Sequence, residues 1–115
     1  MPALLVTCTC PNATSAQTLA TALVHARLAA CVQQLPGLHS TYRWQGQVES
    51  ADEVLLLIKT WDDRLETLIA TIRSRHPYEL PEIMAVEAVG GLAPYLAWLY
   101  DETRAPPGAP NENPE

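Results

Sequence analysis

An α+β sandwich of order β-α-β-β-α-β, closed by a terminal helix, is the fold class this sequence predicts, and three observations carry it. Two stretches with apolar residues at helical spacing, around Leu19 and around Leu68, each lie between apolar strand-like runs. A tight reversal at Gln45-Gly46-Gln47 joins two of those runs with no helix between them. Pro77 and Pro81 forbid a regular helix or a central strand through Arg75 to Glu82, so a loop links the second helix to the last strand.

The elements follow in order. Ala3 to Cys10 is apolar, with Val6, Thr7 and Thr9 suited to a pleated surface, and reads as a strand stopped by Pro11. Asn12, Thr14 and Ser15 are candidate N-caps of a helix running to about Ala29, with Ala16, Leu19, Ala20 and Leu23 on one stripe. Ala30-Cys31-Val32 opens a second strand, expected to break at Pro36-Gly37 and resume through Thr41 to Trp44. A third strand spans Glu53 to Thr60, and its unbroken Val54-Leu55-Leu56-Leu57-Ile58 run suggests cover on both faces.

Thr60 to Asp63 has capping-box spacing, with Asp in place of Glu, before a helix carrying Leu65, Leu68, Ile69 and Ile72. Arg73, Arg75 and His76 suit the carboxyl end of its dipole. Ile83 to Val89 is a fourth strand closed by Gly90-Gly91, and Pro94 starts a short last helix. This is the split β-α-β, ferredoxin-like pattern. Residues 1–103 form the domain, and 104–115, with four prolines and no large apolar residue, are expected to be a disordered tail. Two helices cover one sheet face, so the apolar second face predicts self-association.

Composition excludes several partners. A chain of 115 residues, 48% apolar and 17% charged, is one globular domain. Half of the net charge of −6 comes from the last fifteen residues, where Asp101, Glu102, Glu112 and Glu115 face Arg104 alone. Lys59 is the only lysine, so there is no basic surface for nucleic acid or anionic lipid. No apolar run reaches the roughly 18 residues of a membrane span. The chain enters its first strand without a charged segment, and three cysteines without framework spacing read as reduced thiols. Both point to a cytoplasmic protein.

Cys8 and Cys10 lie two apart on a strand and share a face, about 7 Å apart at Cα. Such a soft pair can hold Cu(I) or Zn(II), especially beside an imidazole; two core cysteines packing as small hydrophobes is the plainer account. Cys31 reads as core, His25 as helix surface and His39 as loop. His76, extended before Pro77, can ligate a metal or serve the helix terminus. Lys59 can bind an anion or pair with Glu79 or Glu82. Tyr42, Trp44, Tyr78, Tyr95 and Trp98 sit near element ends, as core filling or as the lining of a cleft. No nucleophile elbow, P-loop, dinucleotide fingerprint or zinc-protease motif occurs, and no full set of catalytic roles assembles, so no enzyme is expected.

The blocks Ala26 to Val32, Pro36-Gly37, Ser40 to Gly46, Glu53 to Thr60, His76 to Ile83 and Tyr95 to Trp98 resemble the CutA divalent-cation-tolerance family. The resemblance covers about residues 3 to 101. It implies a ferredoxin-like subunit in a homotrimer similar to PII signalling proteins, with the hairpin Tyr42 to Glu53 as an arm between subunits. It also implies copper binding or another divalent metal in metal-ion homeostasis, with no cofactor needed for folding. Cys8 matches the family's metal-binding cysteine and His76 its histidine before Pro-Tyr, while Arg75 stands where some relatives have a second histidine. Arg75 cannot coordinate, and Cys10 is an extra thiol. The other reading is a PII-like module holding a small anionic metabolite between subunits, with Tyr42, Lys59, Tyr78, Glu79, Glu82, Tyr95 and Trp98 lining the cleft.

Overall fold

The computed structural model describes residues 2–104. Strand β1 (Ala3–Cys10) leads to helix α1 (Ala13–His25), then β2 (Cys31–Trp44) and β3 (Gln47–Trp61). A single 3₁₀ turn, Asp62–Arg64, precedes α2 (Leu65–Arg75), and β4 (Ile83–Glu87) and α3 (Ala93–Glu102) complete the chain. The sheet runs β2-β3-β1-β4 with every pair antiparallel. This is the ferredoxin-like arrangement that the element order predicts.

The register of the central pair sets the core. Val6, Cys8 and Cys10 stand opposite Ile58, Leu56 and Val54, and all six side chains point to the helix side. Ala16, Leu19 and Leu23 of α1 and Leu68 and Ile72 of α2 close over them. The opposite face carries Leu5, Thr7, Leu55 and Leu57, as period-2 alternation requires. Helix α3 covers only one end of it. There Trp61 and Tyr100 meet edge to face, 5.1 Å between centroids, and Leu99 is buried. Among the described residues the rest of that face stays open, leaving Leu35, Met84 and Val86 at 55%, 63% and 54% exposure.

Several expected boundaries move, each for a physical reason. Helix α1 ends at His25 rather than Ala29 because Arg27 turns left-handed, φ 57°. The Leu28 and Arg27 amides then bond Leu23 O and Val24 O at 3.0 and 3.1 Å, a Schellman cap without its usual glycine. Its amino end is as predicted, with Asn12 Oδ1 accepting from the Ser15 amide at 2.8 Å. Pro36-Gly37 does not break β2. The register with β3 shifts between Leu35 and Leu38, and Gly37, φ 84°, absorbs the bulge. The third strand starts at Gln47 rather than Glu53, because Gln45 and Gly46 form a two-residue turn with φ 50° and 81°. His39, expected in a loop, therefore lies in β2 opposite Asp52, its Nδ1 2.8 Å from Asp52 Oδ1.

The capping box at Thr60 does not form. Thr60 is fully buried and gives its hydroxyl to Leu28 O at 2.7 Å. β4 ends at Glu87 rather than Val89, beyond which Ala88 still bonds Ala3 O. Arg104, assigned to the tail, belongs to the folded part: its guanidinium grips Asp63 with two hydrogen bonds and lies over the Tyr100 ring. The remainder of the expected tail lies outside the described residues.

Arg104 holds the Asp63 carboxyl below the usual carboxylate range. A depressed folded pKa gives stability that is present above the unfolded value and is lost as pH falls through the folded one. With the Asp63 side chain 43% exposed, the pair is worth at most about 1 kcal/mol. In urea denaturation, Asp63→Asn should lose that amount at neutral pH. The gap from wild type should close on acidification, and a gap that persists in strong acid would contradict the pairing.

Candidate metal centre

The site is built where β1 outruns β4. Cys8 is the last β1 residue paired with β4, opposite Ile83, and Cys10 follows it on the same inward face. Both thiols are free and essentially inaccessible, at 0% and 1% exposure. His76 arrives from the carboxyl end of α2, which it caps through its amide to Ile72 O at 2.8 Å. The proline after it holds its backbone extended, φ −79° and ψ 139°, as the sequence predicts. Its imidazole turns inward, with Nε2 2.7 Å from Thr9 O and 3.9 Å from Cys10 Sγ.

The hydrogen bonds fix the tautomer. The Tyr78 amide donates to His76 Nδ1 at 3.1 Å, so Nδ1 carries the lone pair. Nε2 then carries the proton and donates it to the Thr9 carbonyl. Both ring nitrogens hold backbone. Tyr78 packs on it at 4.7 Å between centroids and donates its hydroxyl to Glu53 Oε2 at 2.8 Å. Burial, and then the Glu53 carboxylate, raise the Tyr78 pKa above the usual phenol range.

The two thiols act on each other. Hydrogen bonding from Cys8 pulls Cys10 below the ordinary thiol range against the opposing effect of burial. The same bond, then burial, push Cys8 well above it. The sulfurs and the imidazole all lie within 4.8 Å of one another.

The structure thus brings Cys8, His76 and Cys10 together, with Tyr78 as their cover. Glu82 sits at the rim, accepting from Thr7 Oγ1 at 3.3 Å, while Glu79 is exposed. Tyr42 projects from the hairpin near enough to act on Tyr78. Lys59, Tyr95 and Trp98 lie elsewhere, Tyr95 and Trp98 on α3 and Lys59 against it: the ammonium is 5.6 Å from the Tyr95 centroid, and Tyr95 is 5.6 Å from Trp98. Lys59 pairs with Leu5, about 10 Å along β1 from Cys8. Among the described residues it therefore takes an aromatic partner, not the expected Glu79 or Glu82. Cys31, expected in the core, is half-buried at the start of β2. Sequence reading missed Glu53, which is 8% exposed; its signal is a carboxylate next to the inward-facing Val54. Nothing in the sequence signals the Thr9 carbonyl.

In this ferredoxin-like domain two buried thiols and an imidazole converge at the end of a central strand, a cluster of residue types that could hold a metal ion. The family model described as "CutA1 divalent ion tolerance protein" matches residues 4–102. The "Divalent-cation tolerance protein CutA" of Thermus thermophilus is 46% identical over 86% of this chain and 96% of its own. Its counterpart in Pectobacterium atrosepticum is 41% identical over 89% and 93%. The chain spans only 57% of the length of "Protein CutA, chloroplastic" from Arabidopsis thaliana, at 41% identity over 90% of this chain. Among solved structures, CutA from Xylella fastidiosa superposes with a TM-score of 0.88 at 45% identity, covering 90% of this chain and all of that one. The chain belongs to the CutA1 divalent ion tolerance family.

Tyr78→Phe should destabilise the fold by about 1.5–3 kcal/mol in urea denaturation, because it leaves the buried Glu53 carboxylate short of a donor. A loss below about 0.5 kcal/mol would mean that water replaces the hydroxyl.

Proposed function

We propose that this protein is a cytoplasmic homotrimer, without catalytic activity, that binds copper or another metal ion in metal-ion homeostasis. The observation that carries the reading is the convergence of Cys8, Cys10 and His76 within 4.8 Å at the end of the central strand. Soft sulfur donors suit copper, and they remain usable only where thiols stay reduced, which supports a cytoplasmic setting. Relatives named for divalent-cation tolerance agree with that chemistry. Self-association is supported by the open apolar sheet face around Leu35, Met84 and Val86. The alternative, a metabolite cleft, gains no support: within one chain its candidates divide between Tyr78 and Glu82 near the thiols and Lys59, Tyr95 and Trp98 at α3.

The test is metal titration of the reduced protein with light scattering in parallel. Wild type should bind one ion per chain as a trimer, and Cys8→Ser should lose the ion while remaining trimeric. A wild type that binds no metal above a nonspecific control would sink the metal reading, and a monomer at micromolar concentration the trimer.

A further inference from the structure

Resting on that metal-binding reading, we propose that Cys8 and Cys10 alone are the ligands, as a two-coordinate dithiolate for a soft monovalent cation of the Cu(I) kind, and that His76 is a positioning residue. The imidazole is committed on both sides. Coordination through Nε2 would strip the proton that serves Thr9 O at 2.7 Å. Coordination through Nδ1 would displace the Tyr78 amide at 3.1 Å. Either leaves a backbone group unpaired in the protein interior, a loss that metal binding would have to overcome.

The thiols have no such commitment. Among the described residues their other polar contacts are long ones, Cys8 Sγ to Thr9 O at 3.8 Å and Cys10 Sγ to His76 Nε2 at 3.9 Å. Two metal–sulfur bonds of about 2.3 Å set in line span about 4.6 Å. The two sulfurs lie within 4.8 Å of each other, which puts both within reach of one ion between them. A tetrahedral divalent ion needs four donors. The nearby carboxylates are engaged, Glu53 by the Tyr78 hydroxyl and Glu82 by Thr7 Oγ1. Two thiolates and few other donors select a soft monovalent ion over a hard divalent one.

His76 still acts on the site. Its Nε2 lies 3.9 Å from Cys10 Sγ, and its bond to Thr9 O fixes the strand between the two cysteines. In the uptake step both S–H bonds break, two metal–sulfur bonds form, and two protons leave to solvent for each cation bound.

The experiment is anaerobic competition of the reduced full chain against Cu(I) bicinchoninate, with X-ray absorption on the loaded wild type. Two sulfur neighbours and no nitrogen should appear in the wild-type spectrum, a readout that needs no variant to fold. Cys10→Ser should lose binding as fully as Cys8→Ser. His76→Gln, which keeps an N–H donor but no imidazole, should keep the two-sulfur shell and lose no more than about 10–100-fold in affinity. A nitrogen neighbour, or a Cys10→Ser protein that binds like wild type, would overturn the dithiolate. Uptake of Cu(II) or Zn(II) without Cu(I) would overturn it and leave the metal reading standing; binding of no ion would remove both.

Discussion

Everything in this molecule hangs on the pairing of β1 with β3. Leu55 and Leu57 are apolar like Leu56 and Ile58, so β3 alone does not say which face belongs inside. β1 decides. Its inward positions Val6, Cys8 and Cys10 alternate with Thr7 and Thr9, and a slip of one residue would drive both hydroxyls into the core. The Gln45-Gly46 turn pins β2 to β3 independently, and the bulge at Gly37 takes up the mismatch along the hairpin.

That register also makes the site. The alternation that places Cys8 opposite Leu56 turns both thiols toward the helices, and β4 stops at the pair Cys8–Ile83. Past that point β1 has a free edge, and the end of α2 comes down onto it. His76 closes the gap by joining the α2 carboxyl end, the Thr9 carbonyl and the Tyr78 amide. Tyr78, the start of the loop between Pro77 and Pro81, is thereby tied to His76 and to Glu53. Cysteine as core and cysteine as ligand are usually weighed against each other. Here Cys8 and Cys10 belong to the hydrophobic core and still present their sulfur atoms to a common point.

The strand and helix pattern was legible because it rests on local periodicity, and the stripe Ala16, Leu19, Ala20 and Leu23 is buried as read. What sequence missed depends on distant partners or on a costly backbone state. Arg27 takes a left-handed conformation that glycine normally fills, so nothing announced the end of α1. Pro36 was read as a break because proline lacks a donor, yet the register shift between Leu35 and Leu38 lets the strand pass it. Thr60 looked like a cap but bonds Leu28 O, 32 residues away. At the site, Cys8 and His76 were legible as residue types. The roles of Glu53 and of the Thr9 carbonyl appear only once the 76–82 loop is folded over β1.

Charge supports the cation reading of the pocket. Glu82 and Glu53 both oppose a bare thiolate at Cys8, adding to the effects of burial and of the second thiol. A free dithiolate beside two carboxylates would concentrate negative charge in a medium of low polarity. The carboxylates that resist an anion there attract a positive ion. An anionic effector at this end of the sheet would meet the same field with the opposite sign. The one lysine, the residue suited to an anion, lies against Tyr95 of α3. The charge distribution thus separates the two readings of the sequence in space: cation chemistry at the free end of β1, and at the other end an aromatic-covered lysine whose charge is already engaged.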